Sequence, residues 1–384
     1  MTSVSRSPKR LALLGATGSI GRQVCDLVSR YPDRFELRWA VAGHDRTALD
    51  AIVARHPGTR TLLADSQAAD AAGVAEAMRD PEVDLVVVAV AGSAALTPTL
   101  AALDCGKDIA LATKEVLVMA GELVRDRMQQ HGSRLFPVDS EHSAIWQCLW
   151  GEQRASVRKL MLTASGGPFL LRPLETLESV TINEALAHPR WKMGPKITVD
   201  SATMMNKGLE IIEAHFLFEI GYPDIEVVIH PQSVVHSMVQ FVDGSVKAQL
   251  GVPDMHLPIA IALAFPDRLP DVTAPPDLVE IGQLAFESVD PDRYPAVGLA
   301  RAAGERGGTA PAVLNAANEE AVARFLKGEL RFVDIIPAVR HCVEHAPRVD
   351  EVSLEAILKA DAWARAAVVQ WQRSDPARPR RRPA

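Results

Sequence analysis

The sequence predicts an α/β protein with three domains in order: an N-terminal parallel sheet, a central α+β domain and a small all-helical C-terminal domain. Buried apolar runs alternate with helical patterns up to residue 138, a second group of strand-like runs follows, and only helical spacing remains after residue 296. Strands that alternate with helices build a parallel sheet with right-handed crossovers. A chain of 384 residues is also too long for one compact core.

The N-terminal domain is predicted to span residues 1–138. Its strands are short apolar runs, and most are followed by the three-to-four-residue apolar spacing of a helix. The expected strands are Leu11–Leu14, Glu36–Ala42, Thr61–Ala64, Asp84–Val90 and Asp108–Ala112, with helices over Arg22–Ser29, Thr47–Ala54, Ala68–Arg79, Leu96–Ala102 and Val116–Gln130, and a further strand lies just before Asp139.

The remaining chain is predicted to form a second sheet, a connector and a helical domain. The central domain, 139–264, has a helix over Thr203–Phe218 and a mixed or antiparallel sheet. The strands of this sheet are Val157–Thr163, Glu226–His230, Ser237–Val242 and Val246–Leu250, with a hairpin turn at Val242–Ser245. Residues 265–295 form the connector, 296–372 are helical with breaks near Gly307, Gly328 and Pro347, and the arginine-rich 373–384 is expected to be disordered.

Composition argues against two classes of function. A net charge of −7 argues against a general nucleic-acid binder. No apolar run reaches the ~18 residues of a membrane helix. The four cysteines, Cys25, Cys105, Cys148 and Cys342, lack zinc-type spacing, so reduced thiols in a cytoplasmic compartment are expected.

A glycine-rich turn, Gly15-Ala-Thr-Gly-Ser-Ile-Gly21, lies between the first strand and the first helix. Glycines permit a tight turn there, and the helix N-terminus then faces a pyrophosphate. The first domain is therefore predicted to be Rossmann-like, with an ordinary glycine-rich turn as the alternative. The second strand ends at Gly43, where His44 or Arg46 favours NADP and Asp45 leaves NAD open.

Three carboxylates are predicted to converge on a divalent cation. Asp139 and Glu141 follow a strand, and an extended backbone would point both to the same side. Glu210 lies on the helix expected over Thr203–Phe218. Carboxylate oxygens select hard ions, so Mg²⁺ or Mn²⁺ is expected between them. Solvated surface charge is the alternative for the first two acids, and His142 would be either a ligand or a hydrogen-bonding neighbour.

Neutral donors and one positive charge suggest a phosphorylated substrate. Ser165 precedes two glycines whose N–H groups would form an anion nest, although such a turn alone is more often a simple connection. Ser201, Asn206 and Lys207 add a hydroxyl, an amide and an ammonium group. Together these residues suit a phosphate monoester.

The stretch 185–196 is predicted to be a flap over the substrate. It carries His188, Trp191 and Met193, and loops seldom carry such large side chains without something to cover. A loop packed on the core is the alternative. Lys114, after the fifth strand, would reach a substrate, and His230 would either touch the site or be a core histidine.

Taken together, these segments resemble the 1-deoxy-D-xylulose 5-phosphate reductoisomerase family, from about residue 10 to about residue 370. The resemblance is carried by Gly15–Gly21, Ala112–Glu115, Pro137–His142, Thr163–Phe169, His188–Trp191, Val199–Glu210, His230–His236, Gly251–Met255 and Leu314–Glu319.

The resemblance implies a role for most of the candidate residues. NADPH would be bound by Thr17, Gly18, Ser19, Ile20, Gly43, His44, Asp45, Thr113, Glu115 and Gly194. Mg²⁺ or Mn²⁺ would be bound by Asp139, Glu141 and Glu210. The oxygen-bearing carbons of the substrate would contact Lys114, Ser140 and Glu141, its phosphate would be held by Ser165, Ser201, Asn206 and Lys207 near His188, and Trp191 and Met193 would belong to the flap.

The resemblance also implies an activity: conversion of 1-deoxy-D-xylulose 5-phosphate to 2-C-methyl-D-erythritol 4-phosphate in non-mevalonate isoprenoid biosynthesis, by a homodimer. A metal-assisted retro-aldol rearrangement would precede hydride transfer from NADPH. One alternative is a semialdehyde-type NADP dehydrogenase, which needs a catalytic cysteine. Another is a non-catalytic nucleotide-sensing protein, which needs no cluster of three acids.

Overall fold

The chain divides into two compact units, each assembled from three stretches of sequence. The first unit comprises Met1–Gly166, Arg190–Gly194 and Leu209–Val289, and the second comprises Gly167–Pro189, Pro195–Gly208 and Asp290–Ala384. The computed structural model describes residues 7–64, 68–189, 191, 193–349 and 351–372, with the backbone alone for 68–72. The predicted disordered tail and two flap residues, Arg190 and Lys192, lie outside the described residues.

The first unit contains a six-stranded parallel sheet. Its strands are β1 (Lys9–Leu14), β2 (Phe35–Ala42), β3 (Arg60–Leu63), β4 (Leu85–Val88), β5 (Asp108–Leu111) and β6 (Leu135–Pro137). The helices between and after them are α1 (Ser19–Arg30), α2 (Arg46–Arg55), α3 (Ala68–Arg79), α4 (Leu96–Asp104) and α5 (Glu115–His131). The order in the sheet is β3-β2-β1-β4-β5-β6, so the predicted parallel α/β fold is confirmed.

The strand order places the candidate residues along one edge of this sheet. β1 has β2 on one side and β4 on the other, so the chain reverses direction across the sheet at β1. Ligands of such folds bind in the crevice at the carboxyl ends of the strands beside this point. The glycine-rich turn follows β1, Lys114 follows β5 and Asp139 follows β6, so all three lie at that edge.

A second, mixed sheet of five strands belongs to the same unit. Its strands are β7 (Val157–Ala164), β8 (Ile225–Ile229), β9 (Val235–Phe241), β10 (Val246–Leu250) and β11 (Glu287–Ser288). In the order β10-β9-β7-β8-β11, only β7 and β8 are parallel neighbours. This agrees with the predicted mixed or antiparallel sheet.

The remaining helices are distributed over both units. In chain order they are α6 (Ser140–Leu149), α7 (Ile182–Ala185), α8 (Pro195–Thr203), α9 (Met205–Phe218), α10 (His256–Ala264), α11 (Leu278–Ile281), α12 (Pro295–Arg306), α13 (Ala310–Leu326), α14 (Ile335–His345) and α15 (Leu354–Gln370). Short 3₁₀ turns lie at Gly92–Ala95, Arg154–Ser156, Leu174–Ser179, Tyr222–Asp224 and Phe332–Asp334. Within the described residues, no helix is long and apolar enough to cross a membrane.

The connector and the helix predicted from Thr203 differ from their predicted form, and α6, α8 and α10 were not predicted. The connector supplies β11, in which Glu287 and Ser288 pair with β8, and also the short α11. A two-residue strand is too short to show a periodic apolar signal. The helix predicted to start at Thr203 starts at Met205, because Met204 has a positive φ of 59° and separates it from α8. A non-glycine residue rarely adopts this conformation, so the sequence gives no warning of the break.

The second unit consists of helices and turns in the described part of the chain, and its buried charges are paired. Asp200, only 1% exposed, accepts a hydrogen bond of 2.7 Å from Asn318 and forms an ion pair of 2.9 Å with Lys196. Arg365 of α15 donates to Glu319 of α13 at 2.6 Å. The predicted breaks at Gly307, Gly328 and Pro347 all fall between helices. The compact units do not follow the sequential order of the predicted domains, and the three-domain division stays a prediction.

Candidate dinucleotide site and metal centre

The turn after β1 has a backbone that requires glycine at two positions. Gly15 has a φ of 84°, and a Cβ atom there would lie 2.3 Å from the carbonyl oxygen of Ala89. A Cβ atom at Gly21 would lie 2.2 Å from the carbonyl oxygen of Gly15. Helix α1 starts at Ser19 with Gly18 as its N-cap, no side chain caps it, and its first turn has no acidic residue. This helix end therefore presents a partial positive charge suited to a phosphate.

The two other predicted residues of the turn, Thr17 and Ile20, lie in the same short segment. The carbonyl oxygen of Thr17 accepts a bond of 2.5 Å from Nη1 of Arg22. Gly194 is on the exposed surface, and no atom lies within 4 Å of the position that a Cβ atom would take there. Thr113, buried after β5, donates to the carbonyl oxygen of Val90 at 2.5 Å, so its hydroxyl helps to hold the β4 and β5 ends together.

The end of β2 is open to solvent, as a ribose-binding position needs to be. Gly43, His44 and Asp45 are all exposed, and nothing lies within 4 Å of a Cβ atom built at Gly43. The Asp45 carboxylate accepts a bond of 2.9 Å from the backbone N–H of Ala48 and caps α2. Asp45, the residue that had kept NAD as a possible cofactor, thus has a structural role as a helix cap.

The three carboxylates predicted to converge do meet. One oxygen each from Asp139, Glu141 and Glu210 lies within 4.8 Å of the other two. The backbone reason was wrong, because α6 starts at Ser140 and the segment is not extended. Asp139 is instead the N-cap of α6 and accepts a bond of 3.2 Å from the N–H of Glu141. Ser140 donates its hydroxyl to the Glu141 carboxylate.

Lys114 joins this cluster. Its ammonium group lies 2.5 Å from Oδ2 of Asp139 and 2.9 Å from Oε1 of Glu210, and the residue is only 5% exposed. Burial acts to lower the pKa of Lys114, but the negative charges of Asp139 and Glu210 outweigh it and raise the pKa well above its ordinary value. Lys114 is therefore a fixed positive charge and a hydrogen-bond donor rather than a general base.

Two further buried ionisable residues lie behind the carboxylates. His142 is 0% exposed, and its Nε2 donates to the carbonyl oxygen of Glu210 at 3.0 Å. Its Nδ1 lies 3.3 Å from Oδ1 of Asp139 and 3.3 Å from Oε2 of Glu213. These contacts agree with the prediction of His142 as a hydrogen-bonding neighbour of the three carboxylates.

Glu213 was not among the predicted site residues. It is 1% exposed and stands in α9 one turn after Glu210, between apolar side chains such as Ile212 and Ala214. An acid inside an otherwise apolar helical stretch, at i+3 from a candidate ligand, was the available signal. Burial raises the pKa of Glu213 and its neighbours Asp139 and Glu210 raise it further, although the charge of His142 opposes them.

The donor set fits a hard divalent cation. Four carboxylates (Asp139, Glu141, Glu210 and Glu213) and two cationic side chains (Lys114 and His142) lie together. The negative charges of Asp139, Glu141 and Glu210 exceed the positive charge of Lys114 by two, which a divalent ion would offset. One oxygen from each of these three carboxylates lies within 4.8 Å of the other two, which suits ligands of a single ion.

The predicted phosphate ligands are placed on three elements. Ser165 is half-buried at the end of β7, and the next two glycines have positive φ values of 82° and 67°. A Cβ atom at Gly167 would lie 2.7 Å from the carbonyl oxygen of Ser201 on α8. Asn206 and Lys207 start α9, and Lys207 is 4% exposed. The common role of Ser165, Ser201, Asn206 and Lys207 remains a prediction.

The residues of the predicted flap and the predicted site residue His230 differ in their surroundings. His188, Trp191 and Met193 are half-buried, burial lowers the pKa of His188, and the Trp191 ring lies 6.4 Å from the His236 ring. His230 has both ring nitrogens occupied: Nδ1 donates to the carbonyl oxygen of Ala285 at 2.8 Å, and Nε2 accepts from the N–H groups of residues 234 and 235 at 3.2 Å. His230 is 0% exposed, so these bonds agree with the core alternative, and its contact with the site stays a prediction.

A parallel nucleotide-binding sheet with a carboxylate cluster at its carboxyl edge defines the class of protein: a dinucleotide-binding oxidoreductase with a divalent-metal centre. Three profiles of one family match the sequence. The profile of 1-deoxy-D-xylulose 5-phosphate reductoisomerase matches residues 11–121, and those of its C-terminal domains match 135–218 and 250–367. The chain belongs to the 1-deoxy-D-xylulose 5-phosphate reductoisomerase family.

Relatives at high identity cover nearly the whole chain. The reductoisomerase of Pseudomonas syringae pv. syringae (strain B728a) is 48% identical over 95% of this chain and 98% of its own length. That of Geobacillus sp. (strain WCH70) is 49% identical over 92% of this chain and 97% of its own length.

Solved structures agree with this assignment. The Zymomonas mobilis reductoisomerase in complex with NADPH superimposes with a TM-score of 0.88 at 41% identity, covering 95% of this chain and 99% of that one. A reductoisomerase in complex with NADPH, fosmidomycin and magnesium also gives a TM-score of 0.88, at 39% identity over 94% of this chain and 98% of that one.

Proposed function

We propose that this protein catalyses the NADPH- and divalent-metal-dependent rearrangement and reduction of 1-deoxy-D-xylulose 5-phosphate to 2-C-methyl-D-erythritol 4-phosphate. The observation that carries this function is the convergence of Asp139, Glu141 and Glu210 beside the Lys114 ammonium group, at the same sheet edge as the glycine-rich turn. A dinucleotide site and a hard-metal site at one edge suit a reaction that needs both Lewis-acid and hydride chemistry.

The residues of the proposed active site have separate roles in metal binding and substrate orientation. When bound, the metal would polarise two neighbouring oxygens of the hydroxyketone and NADPH would supply the hydride. Asp139, Glu141 and Glu210 bind the ion, and Lys114 and Ser140 orient the oxygen-bearing carbons of the substrate. In this structure Asp139 and Glu210 hold the pKa of Lys114 well above its ordinary value.

The substrate phosphate lies away from the bonds that break, so its contacts serve positioning. We assign it to Ser165, Ser201, Asn206 and Lys207, with His188 near by. Trp191 and Met193, half-buried on the loop, cover the substrate and exclude water during the reaction. Binding energy from the phosphate helps to hold the reacting carbons in place and to close this loop.

A spectrophotometric assay at ~340 nm tests the function, because only reduced nicotinamide absorbs there. Purified protein and the deoxyxylulose phosphate should oxidise NADPH only when Mg²⁺ or Mn²⁺ is present, and a chelator should stop the reaction reversibly. Mass spectrometry should identify the branched erythritol phosphate. Metal-independent oxidation, or none at saturating metal, would contradict the proposal.

The semialdehyde-dehydrogenase alternative fails on its nucleophile. Burial raises the pKa of Cys25, Cys148 and Cys342 to about 11, so these thiols are not thiolates near neutral pH. Cys105 is exposed and follows α4, the helix that leads from β4 to β5. It therefore lies at the edge of the sheet formed by the strand N-termini, away from the candidate site. No observation favours the nucleotide-sensing alternative.

We also infer a homodimer in the cytoplasm. The edge strand β10 of the second sheet exposes Val246 by 50%, and Val242 before it is 60% exposed. An exposed apolar strand edge is a common surface for pairing with a second copy. Light scattering on a size-exclusion column should give twice the mass of one chain, 41.5 kDa, and a monomer at micromolar concentration would exclude the dimer.

A further inference from the structure

Glu213 and His142 form a buried arrangement that the proposed reaction does not use. The carboxylate of Glu213 and the imidazole of His142 are 1% and 0% exposed, so neither reaches a substrate from solvent. His142 nevertheless touches the metal centre, because its Nδ1 lies 3.3 Å from Asp139 Oδ1, and Glu213 touches His142. Buried ionisable groups are costly unless they are paired, so their presence in an apolar part of the unit calls for an explanation.

The hydrogen bonds of the ring define its orientation. A carbonyl oxygen can only accept, so Nε2 of His142 must carry the hydrogen that it donates to Glu210. Nδ1 then points at two carboxylate oxygens, from Asp139 and Glu213, each 3.3 Å away. Neither contact has hydrogen-bond geometry within the described residues, since Nδ1 and Glu213 Oε2 both lack a hydrogen-bond partner there. Nδ1 of the ring therefore lies between the two carboxylates at equal distances.

The two oxygens of Asp139 have different neighbours. Oδ1 accepts from the backbone of Glu141 and faces His142, whereas Oδ2 faces the Lys114 ammonium group at 2.5 Å. The side of Asp139 that faces His142 therefore depends on the position of that ring. The ring is in turn held between Glu213 and the α9 backbone that carries Glu210.

We propose that Glu213 is a positioning residue, which acts through His142 to fix the Asp139 carboxylate in the orientation that the metal ion requires. Partners of this kind behind metal ligands typically change metal affinity by about 10- to 100-fold when they are removed. This inference rests on the proposed function, because it takes Asp139 as a ligand. It concerns the chain's own residues and does not depend on the reaction that follows.

A second metal ion is the competing explanation. Asp139, His142 and Glu213 also offer three ligand atoms within 4.8 Å of one another. Nε2 of His142 already donates to the carbonyl oxygen of Glu210, and Asp139 is the one residue that both possible ligand sets share. The number of Mn²⁺ ions bound per chain therefore distinguishes a second ion from a positioning role.

Direct titration with Mn²⁺, followed by calorimetry and electron paramagnetic resonance, separates these explanations. The full-length protein is compared with Glu213→Gln, which keeps the shape and removes the charge, with Glu213→Asp, which keeps the charge, and with Glu226→Gln as a matched control. Glu226 is a half-exposed residue of β8 that pairs with Lys159. NADPH affinity and melting temperature are measured on every variant.

Glu213→Gln should weaken Mn²⁺ binding about 10- to 100-fold, change the resonance line shape, and leave NADPH affinity unchanged. Glu213→Asp should recover part of the loss, and Glu226→Gln should match the wild type. If the Gln variant does not fold, the Asp variant decides, since it should still bind Mn²⁺ measurably more weakly than wild type.

Three results would overturn the inference. Equal Mn²⁺ affinity in wild type and the Glu213 variants would remove the positioning role. Parallel losses of NADPH and Mn²⁺ binding with a lowered melting temperature would make Glu213 merely structural. Two ions per wild-type chain and one in Glu213→Gln would make it a ligand. A wild type that binds no Mn²⁺ would instead contradict the proposed function itself.

Discussion

The glycine-rich turn after β1 and the carboxylate cluster after β5 and β6 lie at one edge of one sheet, yet they are built in opposite ways. The turn is one continuous segment, and its features are backbone features: a φ of 84° at Gly15 and an uncapped helix end at Ser19. The cluster is made of side chains at the N-terminal ends of α5 and α6 and from α9, and four of its six residues are buried.

This difference determines what each region tolerates. The turn is limited by volume, since a single added carbon atom collides with a carbonyl group. The cluster is limited by charge, since it holds four acids and two bases in a small space away from water. A substitution that keeps the side-chain volume but changes the charge should therefore damage the cluster. A substitution that keeps the charge but adds volume should damage the turn.

Glu210→Gln should have the largest effect, because it keeps the volume and removes a ligand charge. We expect kcat/KM to fall by at least about 100-fold, the upper end for residues behind metal ligands, with weaker Mn²⁺ binding and unchanged NADPH affinity. Steady-state kinetics over a range of metal concentrations measure this. The exposed Glu226→Gln serves as control, and full activity of Glu210→Gln at ordinary metal concentration would remove Glu210 from the ligand set.

Gly21→Ala should have the second-largest effect. It leaves the charge of the turn unchanged and adds one methyl group. The added Cβ would lie 2.2 Å from the Gly15 carbonyl oxygen, so the turn must shift, at a cost of about 1–3 kcal/mol in stability. We expect NADPH to bind about tenfold more weakly, or 1.4 kcal/mol, with Mn²⁺ affinity unchanged.

Gly298→Ala in α12 is the matched control for the turn. No atom lies within 4 Å of a Cβ built there, so this variant should gain up to ~1 kcal/mol of stability from helix propensity. Calorimetric unfolding and NADPH fluorescence titration give both readouts. If Gly21→Ala bound NADPH as the wild type does, the turn would not approach the cofactor.

Asp45→Asn should have the smallest effect. Asparagine caps a helix as well as aspartate does, so stability should stay within about 0.5 kcal/mol of the wild type. Removing a negative charge at the predicted ribose end should lower the KM for NADPH about two- to fivefold, as expected for an exposed charge. Asp45→Ala separates the two roles, since it also loses the cap, at about 1 kcal/mol. A raised KM for NADPH in Asp45→Asn would mean that the carboxylate binds the cofactor.

The contrast between the two regions also explains what the sequence could predict. The turn was predictable because its segment is contiguous and its residue types follow from backbone geometry. The convergence of Asp139, Glu141 and Glu210 was predictable only because carboxylates are the usual ligands of hard divalent cations. The extended backbone assumed between Asp139 and Glu141 was wrong, because α6 starts at Ser140. Glu213 was missed although its place in an apolar helical stretch, three residues after Glu210, was a local signal. The salt bridges of Lys114 were missed because no local pattern reveals which segments meet. His230 was left open between the site and the core because a core histidine and a catalytic one look alike in sequence.

The shared contacts of Lys114 have a further consequence. The ammonium group of Lys114, at the N-terminal end of α5, contacts both Asp139 and Glu210. The imidazole of His142 in α6 contacts Glu213 in α9. Effects of mutations among such mutually touching residues are not additive. Repairing a defect here, or retuning the preferred ion, therefore requires simultaneous exchange of several members, whereas the exposed residues of β8 or α12 can be changed one at a time.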